Sequence, residues 1–242
     1  HGCHWHRCAF CDTALPHIAC YRPLDPALVA AQAAHLVETT GRRLFHFVDE
    51  ALPPGLLRRF AEEVVRRDLA ISWWGNIRFE RGFDRETCRL LARSGCIGLT
   101  GGLEGVTDPM LAAMRKGITL AEAVTVLSHL RAAGIMTHAY LIYGFPGQSI
   151  QETVDGLEIV RQLFAARLLT SAYYHRFALT VHSPVYAEQE HFGISAPRRK
   201  NRFANNDIAY RERRPTGADA LGPGLHKALY NFLHDNLLDA DI

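Results

Sequence analysis

The sequence predicts an α/β protein built on a parallel sheet whose strand ends carry a cofactor site. Three observations point there. Five short, strongly apolar segments alternate with helical patterns, the order that a parallel sheet with crossover helices requires. Polar residues collect where those segments end: Asp49 and Glu50, Arg78 and Glu80, Glu104, and Tyr143. Parallel α/β folds bind ligands at that edge. Finally, Cys3, Cys8 and Cys11 crowd the start of the chain at C-x4-C-x2-C spacing, half of its 6 cysteines.

The elements follow in order. Asp25 and Pro26 supply a cap and a first-turn proline for a helix that Gly41 ends, with Leu28 and Leu36 on its apolar face. Residues 44–48 read as a strand, and Pro53-Pro54 opens a helix carrying Leu57, Phe60, Ala61 and Val64 at helical spacing. Residues 71–79 form the next strand. Asp84 caps a helix that stops at Gly95, and the glycine-rich strand 96–103 ends at Glu104. A short helix spans 108–114. Thr119 with Glu122 and Ser149 with Glu152 are capping boxes for two longer helices. Between those helices runs strand 135–143, followed by Gly144-Phe145-Pro146-Gly147. Residues 171–181 read as a long last strand, 184–215 as irregular polar chain, and 218–238 as a closing helix. Parallel strands this apolar are expected to be covered on both faces. A core unit is expected over 1–190 and a C-terminal segment over 191–242.

Composition narrows the function classes. With 242 residues, 48% hydrophobic and 21% charged, the chain is globular rather than disordered. A net charge of +2 gives no reason to expect nucleic acid or an anionic membrane as partner. No apolar run reaches the roughly 20 residues of a membrane span. The most basic stretch, Arg198-Arg199-Lys200 with Arg202 and the 211–214 cluster, reads as a solvated loop. The cysteines cluster at one end rather than forming a disulfide framework, which favours metal binding in a reducing, cytoplasmic setting. The chain opens on His1 and the cysteine loop follows at once, as expected of a piece of a longer protein.

Three closely spaced thiolates suit an iron–sulfur cube that leaves one iron open to an outside ligand. Zinc is the rival, with His4 or His6 as a fourth ligand, although no second spaced pair follows. Cys88 and Cys96 are expected to pack as small core hydrophobes, Cys20 to be inert, and His46 to be a core histidine.

The stretch from Gly2 to Thr13 resembles the cluster loop of the radical SAM superfamily, with one residue more in the first gap than the common C-x3-C-x2-C. That gap, together with Trp5 and Phe10, resembles a branch that often carries an N-terminal cobalamin-binding domain. Residues 47–53, 73–80, 102–105 and 143–147 are similar to segments recurring in that branch. The resemblance implies a partial (β/α)6 TIM-like barrel whose first strand lies outside this chain. It implies a 4Fe-4S cluster on Cys3, Cys8 and Cys11, and reductive cleavage of S-adenosylmethionine to a 5′-deoxyadenosyl radical. It also implies an electron donor of flavodoxin or ferredoxin type. Phe10 is then placed by the adenine, Asp49 and Glu50 at the methionine amino group, Arg78 on the carboxylate, Glu104 on the ribose, and Tyr143 with Gly144 along the adenine.

Each has a structural alternative: loop packing for Phe10, helix caps for Asp49, Glu50 or Glu104, an ion pair with Glu80 for Arg78, a sheet-end aromatic for Tyr143. Cobalamin would enter through a domain outside this chain, and no D-x-H-x-x-G motif is present. Methyl transfer is the commonest outcome in that branch. No residue pattern selects a substrate. The competing functions are a zinc-stabilised α/β binding module and a catalytically inactive radical SAM-like partner protein.

Overall fold

In the computed structural model, which describes residues 2–197 and 206–240, five parallel strands lie side by side in the order of the chain. They are β1 (Leu44–His46), β2 (Ser72–Ile77), β3 (Cys96–Glu104), β4 (Met136–Tyr143) and β5 (Ser171–Arg176). The sheet is curled into a half-barrel, the partial barrel that the sequence pattern and the resemblance imply. The short α1 (Pro16–Ala19) and α2 (Pro26–Thr40) precede β1. Along the outer face run α3 (Pro54–Arg66), α4 (Arg85–Arg93), the short α5 (Asp108–Ala113), α6 (Leu120–Ala132) and α7 (Ile150–Ala165). The short α8 (Pro184–Ala187) and an antiparallel pair, β6 (Ile194–Ser195) with β7 (Arg211–Glu212), lead to a 3-10 turn and α9 (Gly222–Leu233).

The helices begin where the capping chemistry says they should. Asp25 accepts from the Ala27 amide and Asp84 from the Thr87 amide. Thr119–Glu122 and Ser149–Glu152 each close reciprocal capping boxes. Alternate strand residues Trp73, Leu99, Ala139, Leu141, Ala172 and Tyr174 meet the helix layer in one core with Phe60, Leu91, Leu127 and Phe164. Each fully buried aliphatic or Phe side chain contributes roughly 1.5–3 kcal/mol. The Trp73 indole can be buried because its N–H donates to the Ser94 carbonyl at 3.0 Å.

Four expectations need correction. β1 is a three-residue strand rather than one over 44–48; among the described residues nothing pairs with its outer side, and Leu44 is 59% and Val48 80% exposed. β5 stops at Arg176: its neighbour β4 ends at Tyr143, and Phe177 and Leu179 instead enter a second core with Ala9, Met110, Phe145 and Ile208. The closing helix is shorter than expected. The sheet is covered on its outer face, whereas its concave face carries exposed side chains such as Met136, Tyr140 and Tyr173. Of the basic stretch, residues 198–200 and 202 lie outside the described residues.

Candidate functional site

The cysteine loop crosses the C-terminal rim of the sheet and is tied to it from several sides. Cys3 forms a parallel bridge with Ala51, which draws the end of the β1 exit loop, Asp49 and Glu50, to the start of the cysteine motif. The Ala9 amide donates to the Met114 carbonyl at 2.8 Å, and the Ala9 carbonyl accepts from Val185 at 3.1 Å. Ala14 donates to the His182 carbonyl. The Trp5 indole donates to the Arg115 carbonyl at 2.9 Å and lies against Gly117, where an added Cβ would come within 2.0 Å of the ring. The His4 ring is engaged by protein on both nitrogens: its Nε2 is 2.6 Å from Glu80 and its Nδ1 is 3.3 Å from the Ala51 carbonyl oxygen, so it pins the loop to the ends of β1 and β2.

Cys8 is the buried member of the three, and two cations approach it. Arg78, 3% exposed, points one guanidinium nitrogen at the Cys8 sulfur at 3.9 Å, another at Glu80 at 3.1 Å, and the third at the Lys116 carbonyl. Its guanidinium also lies 4.7 Å from the Trp5 ring centroid. Every nitrogen is engaged, so Arg78 braces the loop in this structure. The contacts it makes here are the ion pair with Glu80 and the brace on the loop. Lys116, which the sequence reading passed over, is buried, and its ammonium donates to Glu104 at 2.8 Å. Burial works against the Lys116 charge, but Glu104 and the Cys8 sulfur outweigh it and hold its pKa above the ordinary value.

Glu104 ends β3 with φ of 54° and turns back over Gly102, where any Cβ would fall 1.8 Å from the carboxylate. Gly102 therefore makes room for the Glu104–Lys116 pair. Phe10 packs on the second core with its ring 5.8 Å from the Lys116 ammonium. Burial raises the Cys8 thiol pKa and pushes Cys11 up to about 12. Metal binding replaces those protons.

The remaining candidates divide. Asp49 is half-buried, its carbonyl accepting from Asn76 at 3.1 Å, and Glu50 is exposed beside it. The Tyr143 side chain points away from the concave face: its ring packs on Tyr174 and His226, and its hydroxyl is what an added Cβ at Gly222 would strike. That is the sheet-end aromatic alternative, and only the Tyr143 backbone reaches the rim. Cys88 and Cys96 are core residues, as expected, and Cys20 is exposed. His46 is not a core histidine; it is exposed and stacked on Trp74 at 4.8 Å.

All six thiols are free. Among the described residues, no three His, Cys, Asp or Glu side chains converge as one metal ion requires. A four-iron cube holds its thiolates on separate irons and sets them wider apart. The donor set is all sulfur, the buried thiol faces two cations, and the Asp12 Oδ1 beside Cys11 is buried with no hydrogen-bond partner. These residues fit a thiolate-held cluster with a polar molecule beside it.

Comparison with known proteins agrees with that fit. The family model described as the radical SAM superfamily matches residues 1–160. The anaerobic magnesium-protoporphyrin IX monomethyl ester cyclase of Rubrivivax gelatinosus is 26% identical over 146 residues, 58% of this chain and 26% of that protein. The bacteriochlorophyllide d C-12(1)-methyltransferase of Chlorobaculum tepidum is 28% identical over 156 residues, 61% of this chain and 34% of that one. The chain thus spans about a quarter to a third of the length of these curated relatives. Among solved structures, the radical S-adenosylmethionine methyltransferase TsrM from Kitasatospora setae, with cobalamin and a 4Fe-4S cluster bound, aligns with a TM-score of 0.72 at 19% identity. It covers 96% of this chain and 51% of its own. The cobalamin-dependent S-adenosylmethionine radical enzyme OxsB aligns with a TM-score of 0.75 at 16% identity, covering 92% and 39%. On the family match and the cysteine loop together, this chain belongs to the radical SAM superfamily.

Proposed function

We propose that the chain is the catalytic core of a radical SAM enzyme, with Cys3, Cys8 and Cys11 as the cluster ligands. The observation that carries this reading is the buried Cys8 flanked by Arg78 and Lys116, at the rim where the loops after β1, β2 and β3 meet. When bound, a 4Fe-4S cluster with an open iron supplies one electron to cleave S-adenosylmethionine and release a 5′-deoxyadenosyl radical. The chain's own residues hold and shield that chemistry. Arg78 and Trp5 fix the loop, and the Lys116 ammonium offsets the negative charge of the thiolates. Glu104, held by Lys116, presents a carboxylate that can accept hydrogen bonds from ribose hydroxyls. Phe10 gives the adenine an apolar flank. Asp49 and Glu50, brought to Cys3 by the Ala51 bridge, suit an ammonium group.

The electron comes from a donor of flavodoxin or ferredoxin type. Methyl transfer through cobalamin is the first reaction to test, because a methyltransferase stands among the sequence relatives and the aligned TsrM and OxsB are cobalamin proteins by their descriptions. The cyclase relative makes ring closure the second.

Anaerobic reconstitution with iron, sulfide and reductant, followed by assay for 5′-deoxyadenosine, tests the reading. The wild type is expected to form the brown cluster and cleave the cofactor, and Cys8→Ala to lose both. A colourless zinc protein, or a Cys8→Ala variant that keeps cluster and turnover, would refute it.

A further inference from the structure

The concave face of the sheet is not lined like the inside of a packed barrel. Register places His46 beside Trp74, Trp74 beside Gly98, and Gly98 beside Met136. One layer higher it aligns Asn76, Thr100, His138 and Ser171, and above that Gly102, Tyr140 and Tyr173. Laterally paired residues of a parallel sheet share a face, so these side chains line the concavity while their neighbours enter the core. The result is two aromatic banks with a low floor between them.

On one bank His46 stacks on Trp74 with 10° between the rings. On the other, the Tyr140 ring sits 5.2 Å from His138 and 5.5 Å from His175, and Tyr173 packs on His175 at 4.7 Å. Tyr140 and Tyr173 are 42% and 49% exposed. The floor, on β3, is Gly98 and Thr100.

Gly98 has no structural need to be glycine. An added Cβ would meet only ordinary contacts, at 3.6 and 3.8 Å, and its φ is not in the left-handed region. Glycine weakens a strand interior and marks places where something approaches the backbone closely. Strand spacing sets β2 and β4 about 10 Å apart. A flat ring lying over Gly98 meets Trp74 on one side and the Met136 thioether, 52% exposed, on the other, with His138 one layer up across Thr100. The trough leads up to the Glu104–Lys116 pair over Gly102, the position given above to the cofactor. It holds no carboxylate, and burial, with His175 nearby, keeps the His138 pKa below its ordinary value, so it offers neutral imidazole.

We propose that this trough is the substrate cleft and that the substrate presents a flat conjugated ring, held over Gly98 and Thr100 between Trp74 on β2 and Met136 with His138 on β4. That the bound ring is the substrate rests on the radical SAM reading; that the trough binds flat rings does not.

The test is direct binding to the full chain without reductant, read by quenching of tryptophan fluorescence. Protoporphyrin IX is the flat probe, and protoporphyrinogen IX, the same macrocycle without continuous conjugation and not flat, is the control. Protoporphyrin IX is expected to bind at least about tenfold tighter than the control, the equivalent of one or two good stacking contacts. Gly98→Val, which fills the floor, is expected to weaken it by about tenfold while the thermal midpoint holds or rises. If Gly98→Val fails to fold, Thr100→Leu takes its place. Equal binding of the two probes, or floor variants that bind protoporphyrin IX as the wild type does, would overturn the proposal. Cofactor cleavage is scored separately on the wild type. Ring binding without cleavage keeps the cleft and sinks the enzyme reading, and cleavage without selective ring binding does the reverse.

Discussion

Replacing Lys116 by Met should be among the most damaging single changes near the site, and the structure says by how much. The side chains of Lys116 and Glu104 are only 7% and 8% exposed and meet at 2.8 Å. Removing the ammonium leaves a carboxylate buried beside the thiol loop without its cation. Breaking a buried pair from one side costs about 3–5 kcal/mol, most of it the desolvated charge left behind. A chain of this length loses about 2–4 °C per kcal/mol, so the thermal midpoint should fall by roughly 6–20 °C. The double variant Lys116→Met with Glu104→Gln removes both charges and should recover about half or more of that loss, because an ion pair replaced as a unit is nearly neutral. Circular dichroism melts of the chain before cluster loading read both. Raising the salt should change little, since a buried pair is weakly screened. A Lys116→Met midpoint within about 2 °C of wild type, or a double variant no better than the single, would show that the pair is not the buried unit described here.

Two further perturbations probe other layers. Gly117→Ala drives a methyl into the Trp5 ring at a position with φ of 70°, so it should cost about 2–4 kcal/mol and lower iron incorporation by displacing the ring on which Arg78 rests; melts and iron content after reconstitution check it. The Glu158 pKa is lowered to about 2 by the hydrogen bond from Arg161, then by Gln162. Its folded pKa lies below its unfolded one, so the stabilisation is present above about pH 4.5 and fades as pH falls toward 2. At this solvent-screened, partly exposed site it is worth under about 1 kcal/mol, and Glu158→Gln should flatten that part of the acid stability curve by a small, salt-sensitive amount.

The sheet could be read from the sequence because β2, β3 and β4 are apolar runs bounded by capping signals, and each signal is local. The ends of the sheet could not. Whether Phe177 and Leu179 extend β5 depends on where β4 stops, and that is a fact about a neighbour, not about their own alternation. The cysteine loop stood out as a metal site by its spacing, which left iron–sulfur and zinc both open. Lys116 was not: within Arg115-Lys116-Gly117 it looks like solvated loop, and only the turn of Glu104 back over Gly102 brings the pair together. Arg78 was singled out for its charge, but its stacking on Trp5 joins residues far apart in sequence. The last strand offered Tyr173, Tyr174, His175 and Arg176 to either substrate or packing, and the shape of the trough was not legible for a related reason. His138, Tyr140, Tyr173 and His175 alternate with core residues on two strands, and their convergence depends on register, which alternation by itself leaves undetermined.

The hydrogen bonds through Ala9 impose an order on assembly. Its amide reaches Met114 and its carbonyl is reached by Val185, from opposite halves of the chain. Contacts of such sequence separation form late in folding. Within this chain the cysteines are made before the segments that hold them, and the loop is fully fastened only after the segment beyond β5 has been made. Until then the thiol loop is held only by its ties to the first half of the barrel wall, and the finished site waits for the second.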